Sequence, residues 1–385
     1  MKKIVFIADS TADLTGLARK LNNHFEIIWL TYHKAVYLEL KGLNFKKIHF
    51  CTLSKKLSYN FFFIKYIQKI LDKTSTLLKL NRINGFLEKI EYIDKKENPL
   101  CFIADTFDLL RFYKTKKIKM SFGHSVCYKK FFLEKKNLSY DYLFLPGFYH
   151  LNRIKKNFFL KRTDNLKVLG SPKLSPFFEK NISKKKFIKK LKLKYDINIL
   201  FAPTHDAHDN TTQGQFFPSN YGDQLDRLED LIIFLDTLKA NLIIKLHHYH
   251  VAQIFNNRFK KFKNVYIFKS GIFFNTKDSG IFLKNSDVII TDTSGVATSG
   301  IFLDKKIIFL EPTSKQWNWL EADIEKRLRP GYVCFDYQGL KNSITEYINK
   351  KDIFKKKRKK FIKKVFYKSN KDANIEIAQF IKSIS

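Results

Sequence analysis

Residues 286–304 read SDVIITDTSGVATSGIFLD. A short apolar run at 288–290 stops at TDTSG, residues 291–295, and an apolar segment with helical spacing follows. The pattern predicts a buried strand that turns directly into a helix. Because the first N–H groups of a helix lack intrahelical acceptors and carry the positive end of the helix dipole, they attract anions. The stretch predicts either an anion-binding turn or an ordinary capped helix start, and it lacks the lysine of a P-loop.

Similar apolar runs recur in two series, and helix-like segments separate most of them. The first series covers 3–8, 26–31, 100–105, 117–122, 141–146 and 166–169. The second covers 197–202, 241–246, 264–268, 287–291 and 306–310. This alternation predicts an α/β protein with two parallel sheets, and continuous apolar strands fit sheets that are covered on both faces. The break between the series lies near 172–195, where two prolines precede a basic helix.

The composition is strongly basic. The 385 residues include 72 Lys and Arg against 36 Asp and Glu, a formal charge of +36. The charge is compatible with nucleic acid, an anionic membrane surface or anionic substrates as partners. Abundant Lys, Asn, Ile and Phe are also typical of AT-rich genomes, so codon bias is a competing interpretation of part of the charge. No RNA-recognition or helix-turn-helix signature is present, which argues against a specific nucleic-acid partner.

Cysteine usage and the N-terminus both predict a cytoplasmic protein. The four cysteines (Cys51, Cys101, Cys127 and Cys334) form no CxxC motif, so reduced thiols are expected rather than a zinc site or a disulfide framework. The apolar run after Met1 is too short for a signal peptide, and no run reaches the ~18 residues of a membrane span.

Two segments have amphipathic character. Residues 53–90 mix Phe, Ile, Leu and Lys at helical spacing. They predict a helix pair packed on the first sheet, with an interfacial helix that touches lipid as the alternative. The tail from residue 352 predicts two helices, the first strongly basic, whose lysines face anionic lipid or only solvent.

Three further strand ends carry residues capable of chemistry. His124 and Lys129 follow the strand at 117–122, and a histidine there predicts a general base or a capping side chain. Pro203 and Thr204 follow the strand at 197–202 and open a loop with histidines and aspartates, which predicts a metal site, acid–base chemistry or a polar surface.

The third strand end is KLHHYH, residues 245–250. Its histidines alternate between the two sides of an extended chain and therefore do not converge on one metal ion. One histidine that contacts phosphate in a cleft is the favoured interpretation, and the candidates are His247, His248 and His250.

The order of these motifs resembles the CDP-glycerol glycerophosphotransferase family, the teichoic-acid primases and polymerases with a GT-B fold. The segments that carry the resemblance are 124–129 (HSVCYK), 170–173 (GSPK), 202–206 (APTHD), 245–248 (KLHH), 286–295 (SDVIITDTSG) and 327–337 (RLRPGYVCFDY). The last three resemble the family's RPHP, SDVLITDYSS and arginine-glycine-aromatic motifs. The sequence departs from the family pattern at Ser125, His205, Asp206 and Ser299, and Pro330 is inserted.

The resemblance implies a GT-B fold of two Rossmann-like parallel-sheet domains that face a cleft. The expected division is 1–185 for an acceptor-side domain, 186–340 for a nucleotide-donor domain and 341–385 for basic C-terminal helices. The implied reaction moves a polyol phosphate, such as glycerol phosphate, from a CDP-alcohol donor to an acceptor hydroxyl and releases CMP.

The resemblance also assigns roles to residues. His124 is the expected base, and His247 is expected to stabilise the leaving phosphate. The donor diphosphate and nucleotide are expected at Pro203, Thr204, Asp292, Thr293, Ser294 and Gly295. Asp292 is expected to orient the loop or a donor hydroxyl, since a carboxylate beside phosphates repels them. The expected supporting residues are Lys129, Lys173, His248 and Arg329. No cofactor and no obligatory metal ion are expected.

The implied partners are a CDP-activated polyol, a lipid-linked or polysaccharide acceptor, and an anionic membrane surface. The expected location is the inner face of the cell membrane, to which the protein would bind peripherally. A GT-B glycosyltransferase or epimerase that uses a UDP- or CMP-sugar is the alternative, and Glu311 is then the candidate carboxylate. The sequence leaves open the donor alcohol, the acceptor, primase or polymerase action, and the oligomeric state.

Overall fold

The computed structural model describes most of the chain. The described residues are 1–8, 14–31, 34–51, 72–105, 110–122, 138–158, 160, 163–178, 182–203, 217, 221, 224–245, 258–268, 276–292, 295–311 and 329–385.

The first half of the chain forms a parallel sheet. Its described strands are β1 (Lys3–Ala8), β2 (Glu26–Thr31), β3 (Lys47–Phe50), β4 (Cys101–Ala104), β5 (Ile118–Ser121), β6 (Tyr142–Leu145) and β7 (Leu166–Val168). Their order across the sheet is β3-β2-β1-β4-β5-β6-β7, and all described pairings are parallel. The described α-helices of this half are α1 (Thr15–Leu21), α2 (Lys34–Gly42), α3 (Asp72–Glu97) and α4 (Phe148–Phe158).

The second half forms another parallel sheet. Its described strands are β8 (Ile197–Phe201), β9 (Ala240–Ile244), β10 (Val265–Ile267), β11 (Val288–Thr291), β12 (Lys306–Leu310) and β13 (Tyr332–Cys334). Their order is β10-β9-β8-β11-β12-β13. The α-helices that the structure describes here are α5 (Lys184–Leu191), α6 (Gln224–Thr237), α7 (Thr276–Asn285), α8 (Gly295–Phe302), α9 (Tyr337–Asn349), α10 (Lys355–Val365) and α11 (Ala373–Ser383). The 3-10 helix Pro172–Phe178 lies between the two halves.

Both sheets are covered on both faces, as their continuous apolar strands predict. In β11, Val288 and Ile290 pack into one core, and Ile289 packs into the core on the opposite face. In β1, Phe6 and Ile7 divide in the same way between the two cores of the first sheet. Side-chain alternation along a strand therefore gives the apolar residues on both faces of these strands a buried environment.

The predicted strands are confirmed, and two strands escaped prediction. β1, β2 and β12 have the predicted bounds, and the other predicted strands are found within two residues of theirs. The two additional strands, β3 and β13, lie at the edges of their sheets. All four residues of β3 are only half-buried. An edge strand with half-buried residues has no continuous apolar run, so the sequence pattern does not reveal it.

The helix pair predicted at 53–90 can be judged from residue 72 onward. α3 packs Phe86, Ile90 and Ile93 against Val5 and Phe102 of the first sheet. The packed alternative is confirmed for these residues, and 52–71 lie outside the described residues. In the part of the chain that the structure describes, no helix combines the length and the apolar character needed to cross a bilayer.

The C-terminal helices connect the two halves. α10 packs Phe361 and Val365 into a core of the second sheet, whereas α11 packs Ile377 and Ile381 into a core of the first sheet. The chain therefore returns to the first half after residue 365. The division at 185/186 and 340/341 stays a prediction.

Candidate functional site

The carboxyl edge of the second sheet has its switch point between β8 and β11. The chain proceeds from β8 to β9 and β10 on one side and then returns to β11 on the other. Ligands of open parallel sheets bind at such a point, beyond the carboxyl ends of the strands. The predicted Asp292 directly follows β11, and the predicted Pro203 lies two residues after β8. The ends of these strands lie side by side, since Ala202 N donates to Ile290 O (2.9 Å) and Thr291 Oγ1 donates to Ala202 O (2.8 Å).

Helix α8 begins at this switch point. Its first residue is the predicted Gly295, and Asp292, 6% exposed, precedes it by three positions. A Cβ atom at Gly300 would lie 2.7 Å from the side chains of both Ile289 and Ile307, so α8 lies close against β11 and β12. The N–H groups of a helix's first turn lie at the positive end of the helix dipole, which is the environment that an anion requires. Thr293 and Ser294 lie outside the described residues.

Lys245 is a buried cation at the same edge, and it is not among the predicted site residues. It follows β9, and its backbone N donates to Phe201 O (2.9 Å), which brings it level with the end of β8. The side chain is almost completely buried, and burial lowers the pKa of its ammonium group to about 8. A buried lysine at a strand end is a candidate anion contact, but sequence alone does not show that a lysine is buried.

The predicted Arg329 forms a buried ion pair with Glu311. Glu311 follows β12, and its backbone N donates to Cys334 O of the neighbouring β13 (2.8 Å). Arg329 Nη1 donates to Glu311 Oε2, and both side chains are less than 10% exposed. The guanidinium carbon of Arg329 lies 5.4 Å from the ring centre of Phe309, within cation–π range. The pair therefore lies one strand away from the switch point.

The first sheet also has buried polar residues at its carboxyl edge. Asp105 follows β4, and Ser121 ends the adjacent β5; both are buried. Phe122 N donates to Ala104 O (3.1 Å), so the chain that leads to His124 begins beside Asp105. Asp105 is thus a second candidate outside the predicted site residues.

Several predicted site residues cannot be located in the fold. His124, Lys129, Thr204, His247 and His248 lie outside the described residues, as does the polar loop after Thr204.

The predicted Lys173 lies on the 3-10 helix Pro172–Phe178, which packs against α1, α7 and α11. Of the predicted residues, the structure thus brings Pro203, Asp292 and Gly295 together, with Arg329 one strand away.

A metal site is not found among the described side chains, where no group of three or more His, Cys, Asp or Glu residues could hold an ion. The absence of an obligatory metal stays a prediction, because the histidine-rich segments lie outside these residues.

The model of one protein family matches residues 115–383. Its description is CDP-glycerol:poly(glycerophosphate) glycerophosphotransferase. The chain belongs to this family. It is therefore an enzyme of the glycerophosphotransferase type, as the motif order predicts. No curated protein sequence matches the chain significantly.

Solved structures show the same fold at low sequence identity. The wall teichoic acid polymerase TagF is 14% identical, with a TM-score of 0.63 over 100% of this chain and 89% of that chain. The UDP-GlcNAc 2-epimerase of Methanocaldococcus jannaschii is 15% identical, with a TM-score of 0.63 over 99% of each chain. The enzyme of that name from Neisseria meningitidis is 12% identical, with a TM-score of 0.62 over 99% of this chain and 100% of that chain.

These similarities confirm the predicted GT-B-like α/β fold of two parallel sheets. They do not distinguish donors, because TagF and the M. jannaschii epimerase match with the same TM-score. The CDP-glycerol donor is supported by the family match instead.

Proposed function

We propose that the protein transfers glycerol phosphate from CDP-glycerol to a hydroxyl of a lipid-linked or polysaccharide acceptor and releases CMP. The observation that carries this proposal is the family match over residues 115–383. A variant of TagF has been studied after soaking with CDPG, which supports the same donor class for this fold.

The donor diphosphate binds at the carboxyl edge of the second sheet in this proposal. The first turn of α8, from Gly295, supplies N–H groups, and Thr293 and Ser294 supply hydroxyls beside it. Pro203 and Thr204 border the diphosphate on the β8 side. The Lys245 ammonium group adds a positive charge from β9, and Asp292 orients the turn or a donor hydroxyl. Such preorganised donors and charges stabilise the transferred phosphoryl group.

The acceptor hydroxyl approaches from the first sheet. His124 removes its proton while the hydroxyl oxygen forms a bond to the distal phosphorus of the donor. The bond between that phosphorus and the bridging oxygen breaks, and the electron pair leaves with CMP. His247 stabilises the leaving phosphate, and the supporting contacts to the phosphates are Lys129, Lys173 and His248. Positioning and charge stabilisation supply most of the catalysis in such a transfer.

The reaction as proposed requires neither a cofactor nor a metal ion, because protein cations and N–H groups neutralise the phosphates. The sequence also has no Asp-x-Asp motif for a nucleotide-bound metal. Turnover is therefore expected to persist in excess EDTA. Loss of turnover in EDTA, with recovery on addition of Mg²⁺ or Mn²⁺, would show that a metal takes part.

A donor panel tests the proposed function. Purified protein is incubated with an acceptor and with CDP-glycerol, CDP-ribitol or UDP-sugars, and released CMP or UDP is measured. CMP release that depends on acceptor is expected with a CDP-alcohol. Product mass spectrometry then identifies the transferred alcohol and shows whether one unit or a polymer is added.

A UDP-sugar enzyme is the second candidate. The specific observation in its favour is the fold similarity to two UDP-GlcNAc 2-epimerases. The same panel separates the candidates, since epimerisation or UDP release without CMP release would favour the UDP-sugar enzyme.

Attachment to an anionic membrane surface is also part of the proposal. α10 contains no acidic residue, and its exposed lysines are Lys355, Lys356, Lys357, Lys359, Lys360, Lys363 and Lys364. Its apolar residues Phe361 and Val365 are already packed against the protein. The attraction is therefore electrostatic, about 1 kcal/mol for each well-placed lysine.

Liposome flotation tests this attachment. Recovery is expected with anionic vesicles at low salt, and little recovery is expected with neutral vesicles or at high salt. Equal recovery with both vesicle types would contradict an electrostatic attachment.

A further inference from the structure

The Arg329–Glu311 ion pair contains an unsatisfied buried donor. Arg329 Nη1 donates to Glu311, but Arg329 Nε is buried and has no hydrogen-bond partner among the described groups. Nearly all buried N–H groups in folded proteins have an acceptor, so an exception requires an explanation. A bound ligand that supplies an acceptor would satisfy Nε.

The position of the pair is suited to a part of the nucleotide other than its phosphates. Glu311 lies two residues after Phe309, on the same face of the second sheet, and Phe309 packs in one core with Ala297 and Ile301 of α8. The pair thus lies on the α8 side of the sheet, one strand beyond the switch point. Because neighbouring strands are about 4.8 Å apart, the pair lies to one side of the phosphates that the first turn of α8 would bind.

The charges of the pair also disfavour a phosphate. Glu311 neutralises Arg329, and its carboxylate would repel an anion placed against the guanidinium group. A neutral ligand edge with both a donor and an acceptor suits the pair better, because the carboxylate accepts hydrogen bonds and the guanidinium donates them.

We infer that Glu311 and Arg329 recognise the cytosine base of the donor and discriminate against uracil. This inference rests on the proposed function. Cytosine has a donor at N4 and acceptors at N3 and O2. The Glu311 carboxylate accepts from N4, and Arg329 Nε donates to N3 or O2. Uracil has an acceptor at O4 and a donor at N3, so it would bring O4 against the carboxylate.

Phe335 provides a surface on which the base can stack. It follows β13, the strand beside Glu311, and its side chain is 55% exposed. Stacking on an aromatic ring tolerates any base. Phe335→Ala is therefore expected to weaken binding of CDP and UDP by similar factors, and it would leave the discrimination to Glu311 and Arg329.

Calorimetric titration of the full chain with CDP and UDP tests the inference. The wild-type protein is expected to bind CDP at least about tenfold more tightly than UDP, since one specific base contact contributes a factor of that order. Glu311→Gln is expected to reduce this ratio by about tenfold, because a glutamine amide can also donate to O4. Arg329→Lys, which keeps the charge but lacks Nε, is expected to weaken CDP binding by a similar factor.

A modified ligand makes the test independent of protein folding. N4,N4-dimethyl-CDP has no N4 donor and is expected to bind the wild-type protein at least about tenfold more weakly than CDP. Equal binding of the two ligands would overturn the inference.

Arg358→Lys serves as the matched control, since Arg358 is also a buried, carboxylate-paired arginine but lies on α10. Its CDP-to-UDP ratio is expected to equal that of the wild-type protein.

The remaining outcomes separate the inference from the proposed function. If Glu311→Gln loses the same factor in affinity for CDP and for UDP, the pair contacts the ribose or the phosphates, and base recognition is overturned. Equal wild-type affinities for CDP and UDP, together with transfer from CDP-glycerol, would overturn the inference alone. Absence of both CDP binding and transfer would overturn the inference together with the proposed function.

Discussion

Gly147 lies so close to the carbonyl oxygen of Val365 that a Cβ atom at residue 147 would overlap that oxygen. Gly147 follows β6 of the first sheet, whereas Val365 ends α10 on the second sheet. Two residues further on, Tyr367 N donates to Pro146 O (2.8 Å). The crossing of the C-terminal chain onto the first half therefore depends on a residue without a side chain.

Gly147→Ala is expected to destabilise the protein by about 1–3 kcal/mol, because the backbone of α10 must move away from β6 to make room. The free energy of unfolding in urea measures the effect. The control is Gly85→Ala in α3, where an added Cβ meets nothing within 4 Å and alanine favours the helix. Equal stability of both variants would contradict the close crossing.

Arg358 is expected to hold α10 to the second sheet. It is 1% exposed; its Nε donates to Asp304 Oδ1 (2.9 Å) and its Nη1 to Asp352 Oδ1 (3.1 Å). Arg358→Ala leaves two carboxylates without their cation and is expected to cost about 3 kcal/mol of unfolding free energy. Lys359→Ala, on the exposed face of the same helix, is expected to change stability by less than about 0.5 kcal/mol. A cost below about 1 kcal/mol for Arg358→Ala would show that these ion pairs contribute little.

His150 is expected to make the fold sensitive to acid. Burial lowers the pKa of its imidazole to about 4, so between pH 4 and the ordinary value of 6.5 the unfolded chain binds a proton that the folded chain does not. Stability therefore falls as the pH falls through this window. Between pH 7 and pH 4, the free energy of unfolding of His150→Phe is expected to fall by about 3 kcal/mol less than that of the wild-type protein. Urea unfolding at both pH values measures the difference. His24→Gln, at an exposed position, controls for the loss of a histidine, and parallel pH profiles of wild type and His150→Phe would contradict the prediction.

Lys245 is expected to make the stability of the fold depend on pH in the alkaline range. Burial lowers the pKa of its ammonium group to about 8 from 10.5, so the unfolded chain holds the extra proton between these values. Stability therefore rises with pH in this window. Between pH 8 and pH 10, the free energy of unfolding of the wild-type protein is expected to rise by about 2 kcal/mol relative to that of Lys245→Met, measured by urea unfolding.

The charge of Lys245 can be tested separately through binding. CDP affinity of the wild-type protein is expected to fall above pH 8 as the ammonium group loses its proton, and calorimetric titration measures this fall. The same decrease in Lys245→Met would show that another group is responsible.

The sequence predicts most of the fold because its strands are unusually explicit. Continuous apolar runs such as 3–8 and 306–310 become buried strands with the same bounds. The edge strand β13 is three residues long, and only Cys334 in it is fully buried, so no run indicates it. A strand that is buried on both faces thus has a continuous apolar run in the sequence, whereas a short, half-buried edge strand has none.

The candidate site is predictable only in part. The carboxyl ends of β8 and β11 meet at one edge of the sheet, so the predicted residues Pro203 and Asp292 lie at neighbouring strand ends. The burial of Lys245 and the pairing of Glu311 with Arg329 depend on tertiary contacts between segments 18 or more residues apart. Their residue types alone are those of an ordinary charged surface, so periodicity carries no information about them.

The proposed transfer is tested most directly by following both products of one reaction. CDP-glycerol labelled in its glycerol is incubated with acceptor and either the wild-type protein or His124→Ala, and released CMP and acceptor-bound label are measured together. The wild-type protein is expected to give CMP and acceptor-bound label in equal amounts. His124→Ala is expected to bind CDP-glycerol but to give neither product. If the label stays in CDP-glycerol with the wild-type protein, the proposed transfer is contradicted. If His124→Ala has near-normal turnover, the assignment of His124 as the base is contradicted.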